Sequence, residues 1–389
     1  MTIVFYSFLH FLVDSICAAA MFSRFLNGTD RSWWILVYNF CAFVLQMPFG
    51  VLLDPWNEGA GSSASRQNSF TFALAGSILT IVGAFTSPVI LGIGNALFHV
   101  GGGVGTILED RACGSAGRRL GVFVAPGAMG LFLGTLAARS SFGESALSTG
   151  TLWLIGSAAI TFALLAGLWR FLVRMKRSED LSVTAARVAV SSTSQSGVRC
   201  ISRVDSSDSA YAVPIRSRFY EMLIISFCFF VVVIRSYVGM AVTMPWKTTA
   251  AAGLTATGAV VFGKMAGGFS AAAFGRKRIV LWTLLIAAIC YVFCGHMAVG
   301  LLALFLFNMT MPITLQILVE QYKSLPGTMF GLLTVGLFLG FLPVYYSVAA
   351  PASGNAVGAA LCIVSLIFLS VAAASSEPRS DNLPAAETQ

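Results

Sequence analysis

The sequence predicts an all-α membrane protein with twelve transmembrane helices in two pseudo-symmetric six-helix bundles. Of the 389 residues, 57% are hydrophobic and only 10% are charged, whereas a soluble domain carries about 25% charged residues. Runs of about 20 apolar residues, long enough to cross a bilayer as a helix, recur along nearly the whole chain. The alternating ten-residue segments that are typical of a membrane β-barrel do not occur in the sequence.

The apolar runs form two sets of six predicted spans. Pro88 lies between the third and fourth spans and predicts a tight hairpin there. The chain enters its first apolar run without a basic segment, so we expect a membrane span rather than a cleaved signal peptide. The predicted spans are residues 3–25, 33–53, 70–87, 88–108, 120–139, 150–173, 219–245, 250–273, 279–298, 299–319, 327–349 and 355–375.

A segment rich in serine and arginine separates the two sets. It has no hydrophobic period and is predicted to be a solvated linker. Gly50-Val-Leu-Leu-Asp54 ends span 2, and Gly268-Phe-Ser-Ala-Ala272 ends span 8. The offset between these two segments along the chain agrees with the offset between the two sets of spans, so two homologous six-helix halves are predicted. Duplicated halves around a central site are a transporter architecture. The predicted division is an N-terminal half at 1–174, a cytoplasmic linker at 175–218, a C-terminal half at 219–376 and a cytoplasmic tail at 377–389.

The distribution of positive charge predicts the orientation in the membrane. Most of the 24 lysine and arginine residues fall in loops that are cytoplasmic if the N-terminus is inside. Because lysine and arginine are retained on the cytoplasmic side, both termini are predicted to be cytoplasmic. This distribution accounts for the net charge of +8, and no nucleic-acid partner is expected. We expect a multi-pass protein of the plasma membrane or bacterial inner membrane.

The loops after spans 2 and 8 resemble the major facilitator superfamily, whose signature is G-x-L-x-D-x-x-G-R-R/K-x. Its two halves are split between the loops, because the basic residues are missing after span 2 and Ala272 replaces the aspartate after span 8. The resemblance implies the twelve-helix major facilitator fold, alternating access and, by default, a monomer. The matching residues are Gly50, Leu52 and Asp54 in the first loop and Gly268, Gly275, Arg276 and Lys277 in the second.

Span 5 is similar to the antiporter motif of that superfamily, g-x-x-x-G-P-x-x-G-G. Gly121, Pro126 and Gly130 match, while Ala125 and Met129 depart from it. The resemblance implies proton antiport. The alternative is ordinary close packing of small residues with a bend at the proline.

Three segments look like the fosmidomycin-resistance branch of efflux proteins within the superfamily. The relatives usually have a proline after the histidine of span 4, where this chain has Val100. The resemblance implies efflux of a small solute. The segments are His10-Phe-Leu-Val-Asp14 in span 1, Gly94-Asn-Ala-Leu-Phe-His99 in span 4 and Ile234-Arg-Ser-Tyr237 in span 7.

Polar residues in the apolar spans are the candidate functional residues. A charge near the bilayer centre costs about 2.5–3.5 kcal/mol on insertion scales, so such residues are seldom retained without a role. Four-residue spacing places His10 and Asp14 about 40° apart on one helix face. The resemblance implies that spans 1, 4, 7 and 10 line a central cavity. The candidates on those spans are His10, Asp14, Asn95, His99, Arg235 and Asn308.

We predict that Asp14, His10 and His99 couple transport to protons, because histidine and buried carboxylates exchange protons readily when their surroundings change. Arg235 presents a two-donor fork suited to a carboxylate, phosphate or phosphonate. We therefore predict that Arg235, Asn95, His99 and Asn308 bind an anionic or zwitterionic solute. The alternative is a structural pair of Asp14 with Arg235 or with a histidine. The role of Lys264 in span 8 is left open.

The predicted function is secondary transport of a small organic solute by alternating access, with proton-coupled efflux favoured. Import of an organic anion or nutrient by a symporter or uniporter is the alternative. An intramembrane enzyme or a receptor is disfavoured, because the sequence has no nucleophile motif, no His-Glu-x-x-His motif and no nucleotide-binding loop. The predicted partners are the solute and the lipid bilayer. No cofactor and no metal site are expected, since the proton motive force would drive transport.

Overall fold

The computed structural model describes residues 2–26, 32–58, 62–140, 149–167, 215–346 and 354–375. These residues form twelve long helices and no β-strand. The predicted tail at 377–389 lies outside the described residues, as does the predicted linker up to residue 214.

The first six helices precede the predicted linker. α1 continues past Ala20 as a π-helical turn, Met21–Phe25, and α2 contains a second π-helical turn, Phe40–Val44. The helices are α1 (Thr2–Ala20), α2 (Trp33–Asn57), α3 (Ser62–Thr86), α4 (Pro88–Ala112), α5 (Arg118–Arg139) and α6 (Thr149–Gly167).

The other six helices begin at Ile215, within the last residues of the predicted linker. Of the twelve described helices, ten are long and apolar enough to cross a membrane. The remaining two are α9, which has 17 residues, and α8, which is rich in glycine and carries Lys264. The helices are α7 (Ile215–Ala241), α8 (Ala250–Phe274), α9 (Arg276–Val292), α10 (Met297–Gln321), α11 (Pro326–Tyr345) and α12 (Gly354–Ser375).

Several helix ends differ from the predicted spans for local reasons. α3 begins at Ser62, before the predicted start at residue 70, because its first two turns are polar but still helical. α7 ends at Ala241 rather than at 245, since Pro245 disfavours helical geometry in the residue before it. Between α3 and α4 the chain turns at Ser87, whose Oγ accepts from the Val89 N–H at 3.2 Å. The predicted hairpin is therefore confirmed.

Small residues bring the helices into close contact. A Cβ added at Gly94 or Gly101 of α4 would overlap the backbone of α3, and one at Gly130 of α5 would overlap the carbonyl of Phe11 on α1. Such close packing stabilises helix pairs in a membrane, because the hydrophobic effect does not bring helices together in lipid. α4 is the most enclosed of the ten candidate spans, with 78% of its 18-residue apolar stretch buried. α4 is thus enclosed by α1, α3 and α5.

Candidate functional site

Three titratable side chains of α1 and α4 meet inside the first half. On α1, His10 Nε2 lies 3.2 Å from Asp14 Oδ2. From α4, His99 Nε2 lies 3.6 Å from Asp14 Oδ1 and 3.0 Å from His10 Nε2. Asn95, one turn before His99, donates from Nδ2 to Asp14 Oδ1 at 3.2 Å. We refer to His10, Asp14, Asn95 and His99 as the His–Asp cluster.

Backbone carbonyls fix the tautomers of both histidines. His10 Nδ1 lies 2.7 Å from the carbonyl oxygen of Phe123, and His99 Nδ1 lies 2.9 Å from that of Asn95. Because a carbonyl can only accept, each Nδ1 carries the hydrogen, and in a neutral ring Nε2 is then an acceptor. Two Nε2 acceptors and the Asp14 carboxylate therefore face one another. They repel unless a cation lies between them or one ring is protonated, so the cluster is suited to hold a proton.

The break in α5 supplies backbone acceptors beside this cluster. α5 is interrupted at Ala125, immediately before Pro126. Proline has no N–H to give to the preceding turn, so carbonyls of that turn become available to side chains. The acceptors are Val122 O for Ser7 Oγ at 3.2 Å, Phe123 O for His10 Nδ1 at 2.7 Å and Val124 O for Lys264 Nζ at 3.3 Å.

Two residues near the cluster were not among the predicted site residues. A Cβ added at Gly127 would overlap the His10 ring and the Asp14 carboxylate, so only glycine fits there. The span 5 motif of small residues was the available signal for Gly127. Lys264 on α8 interacts electrostatically with both Asp14 and Arg235. Its Nζ also donates to Val124 O of α5 at 3.3 Å, so Lys264 of the second half contacts the first half beside the cluster.

Arg235 of α7 occupies a buried position in the second half. Its side chain is only 7% exposed, and its Nη2 donates to Thr310 Oγ1 at 3.2 Å and to Thr314 Oγ1 at 3.0 Å. Its Nε has no hydrogen-bond partner. No carboxylate in the described ranges forms an ion pair with it. The alternative of an Arg235–Asp14 pair is therefore not what the structure shows.

The predicted solute-binding residues do not all meet. Asn95 and His99 belong to the His–Asp cluster, while Arg235 is held by two threonines of α10 that the sequence did not single out. α10 is interrupted at Met309. Just before this break, Asn308 donates from Nδ2 to the carbonyl of Leu304 on its own helix at 2.8 Å. Serine and threonine are common in membrane helices, so residue type alone did not single out Thr310 and Thr314.

Asp54 joins the two halves at the predicted cytoplasmic end. Its Oδ1 accepts from the Gly327 N–H at 2.7 Å, and its Oδ2 accepts from the N–H and hydroxyl of Thr328 at 2.8 and 2.7 Å. These donors lie in the first turn of α11, where a carboxylate is stabilised by the helix dipole. The backbones of Gly50 and Gly327 are in direct contact beside it. The signature residues Gly50 and Asp54 thus connect α2 to α11.

The signature residues after span 8 form an ion pair within the second half. Gly275 has a φ of +88°, which favours glycine, and Arg276 and Lys277 begin α9. Arg276 Nη1 donates to Glu320 Oε2 of α10 at 2.5 Å. Gly268 instead faces Gly121 of α5 across the halves. The remaining motif residues, Pro126 and Gly130, serve the α5 break and its contact with α1.

Comparison with solved structures identifies the fold. FucP, described as a major facilitator superfamily transporter in the outward conformation, has a TM-score of 0.55 at 14% identity, covering 97% of this chain and 100% of that chain. A variant of the E. coli fucose:proton symporter FucP gives a TM-score of 0.58, again at 14% identity, with 97% of both chains covered. The chain has the major facilitator fold.

The proton:xylose symporter XylE, bound to 6-bromo-6-deoxy-D-glucose, is similar to the same extent. Its TM-score is 0.57 at 14% identity, with 95% of this chain and 94% of that chain covered. No family model matches the sequence, and no curated protein does. The chain is therefore a multi-pass membrane protein with the major facilitator fold, and the proteins that share this fold with it here are transporters.

Proposed function

We propose that this protein is a proton-coupled secondary transporter of the major facilitator superfamily. It moves a small anionic or zwitterionic organic solute by alternating access, with efflux by proton antiport as its direction. The observation that carries this proposal is Arg235, a buried guanidinium with an unpartnered Nε and only hydroxyl partners. A bound anion would supply the countercharge that the described residues do not provide.

Burial makes Arg235 suited to an anion. A buried charge is costly unless it is paired and hydrogen-bonded, and the two threonine hydroxyls carry no charge. A carboxylate, phosphate or phosphonate could accept two parallel hydrogen bonds from the guanidinium fork. A zwitterionic solute could present its cationic group to the first half, where Asp14 lies.

The His–Asp cluster is the proposed proton site. Its three facing acceptors repel one another less when one of them takes a proton, so the cluster offers a place that can hold a proton without a solute contact. Lys264, which interacts with both Asp14 and Arg235, offers a physical link between proton and solute. Neutralising Asp14 changes the field at Lys264 and hence at an anion on Arg235.

Two features bear on the direction of transport. The resemblance of the His10–Asp14 and Gly94–His99 segments to the fosmidomycin-resistance branch supports efflux, and so does the span 5 motif around Pro126. The second candidate is proton symport, which is favoured by the likeness in fold to two proton symporters, FucP and XylE. Both candidates use the same residues.

A binding screen tests the anion. Organic carboxylates, phosphonates and neutral sugars are added to the purified protein, and the shift in melting temperature is measured. We expect an anion to give the largest shift. Arg235→Lys should weaken binding of that anion by about 10- to 100-fold, the scale of charged hydrogen bonds, and Arg235→Met should weaken it more.

Arg118→Met is the matched control, because Arg118 is exposed at the start of α5. It removes the same charge from the chain but should leave the affinity unchanged. Preferential binding of a neutral solute that is insensitive to Arg235→Met would contradict the proposal.

Flux in proteoliposomes then separates the two directions. An antiporter accumulates the solute in the lumen when the lumen is the acidic side, because protons leave as the solute enters. A symporter accumulates it when the outside is acidic. Accumulation that ignores the pH gradient would exclude proton coupling in either direction.

A further inference from the structure

We propose that His10, Asp14 and His99 also bind a divalent transition-metal ion, such as Zn²⁺ or Co²⁺, in competition with the proton. The three residues offer two imidazole nitrogens and a carboxylate, whose ligand atoms all lie within 4.8 Å of one another. Two histidines and one carboxylate form a known ligand set for such ions. The sequence did not predict a metal site, because its ligands lie far apart on two helices.

The spacing of the ligand atoms fits one ion. Metal bonds of about 2.0–2.1 Å place neighbouring ligand atoms about 2.9 Å apart at an octahedral ion and about 3.4 Å apart at a tetrahedral one. The observed distances are 3.0 Å between His10 Nε2 and His99 Nε2, 3.2 Å from His10 Nε2 to Asp14 Oδ2 and 3.6 Å from His99 Nε2 to Asp14 Oδ1. A small rotation of the Asp14 carboxylate would bring the longest distance into range.

The surroundings of the ligands also favour a metal. Metal-binding histidines usually donate their second ring nitrogen to a carbonyl or carboxylate, which fixes the tautomer and orientation. Here both Nδ1 atoms donate to backbone carbonyls, of Phe123 and Asn95. Both Nε2 lone pairs are therefore available to an ion at the point where the two Nε2 atoms approach the Asp14 carboxylate, within 3.6 Å. An ion at that point converts the repulsion among three acceptors into three metal bonds.

Other titratable groups lie near the site on α1, α2 and α8. Cys17 on α1 and Tyr38 on α2 interact with each other and with Asp14, and Lys264 on α8 interacts with His99 and Asp14. Lys264 is the one cation among these neighbours, and its Nζ is turned to Val124 O. Because the ligand nitrogens must be free of protons, metal affinity should rise as the pH rises.

Cobalt provides the test. Full-length protein, purified in detergent without a polyhistidine tag, is titrated with Co²⁺ and followed by visible absorption and calorimetry. We expect one Co²⁺ per chain and tighter binding at higher pH. His10→Gln, His99→Gln and Asp14→Asn should each weaken binding by at least about tenfold, since even partners of metal ligands affect affinity on that scale.

His296→Gln is the matched control. His296 is the third histidine of the chain, exposed at the start of α10, and its loss should leave Co²⁺ binding unchanged. Absence of Co²⁺ binding, binding that persists undiminished in His99→Gln, or binding that is lost in His296→Gln would overturn the proposal.

His99→Cys keeps the test decisive if His99→Gln does not fold. A thiolate at this position should still hold the ion and add a sulfur-to-cobalt charge-transfer band that the natural protein lacks. A folded His99→Cys protein without that band would also overturn the proposal.

Discussion

Removing the Asp54 carboxylate should open the predicted cytoplasmic end of the protein. Asp54 accepts three hydrogen bonds from Gly327 and Thr328 of α11, at 2.7–2.8 Å, and all three cross between the halves. A hydrogen bond to a charged group contributes about 1.5–3 kcal/mol. The three bonds share two oxygens and are not additive, so we take about 3 kcal/mol for Asp54→Ala. This shifts the equilibrium between closed and open ends by about a hundredfold.

Distance measurements report this shift. Glu58 immediately after α2 and Ser324 in the loop before α11 are both exposed at this end, and spin labels on them follow the separation of the two halves. Double electron–electron resonance should show a short distance in the natural protein. A longer distance should appear or grow strongly in Asp54→Ala.

Asp110→Ala is the matched control for Asp54→Ala. Asp110 also accepts backbone hydrogen bonds at this end, from the N–H groups of Gly117 and Arg119, but all three residues belong to the first half. Its removal should leave the distance between the labels unchanged. Arg111 of α4 also donates to the Lys323 and Val319 carbonyls across the halves. An unchanged distance in Asp54→Ala, or an equal change in Asp110→Ala, would refute the role of Asp54 as a contact that holds this end closed.

Three further predictions follow from the site and the topology. Gly127→Ala should lower the melting temperature by overpacking the His–Asp cluster, at a cost of about 1–3 kcal/mol, and should reduce pH-driven flux. Gly156→Ala should be neutral, since nothing lies within 4 Å of a Cβ there. Thr314→Val should weaken anion binding several-fold without abolishing it, because Thr310 still orients Arg235; unchanged binding in a titration would count against this. Cysteines placed within residues 180–210 should be labelled only from the cytoplasmic side, and labelling from outside intact cells would overturn the predicted orientation.

The helices could be predicted from the sequence because length and hydropathy are local properties. The apolar runs and Pro88 were sufficient for the twelve helices. The errors occur where polar residues continue a helix, as at Ser62, or where a proline ends it early, as at Pro245. Spacing also placed His10 and Asp14 on one face, and the structure has them in contact.

Contacts between distant helices could not be read in the same way. Pro126 predicted a bend in α5, but not that Phe123 would orient His10 or that Val124 would accept from Lys264. The partners of Arg235 are two threonines, whose types do not stand out in an apolar span. Which side chains meet depends on the rotation of each helix about its axis, and that rotation is set by packing of all its neighbours.

Transport by the Asp14→Asn protein tests proton coupling by the His–Asp cluster most directly. With the solute found in the screen, proteoliposomes are assayed both for accumulation driven by a pH gradient and for exchange between equally loaded compartments. The amide keeps the shape of a protonated carboxyl but cannot release a proton. Asp14→Asn should therefore lose accumulation, which for one proton per solute is about tenfold per pH unit in the natural protein, and retain exchange. Undiminished pH-driven accumulation by Asp14→Asn would contradict proton coupling at this cluster.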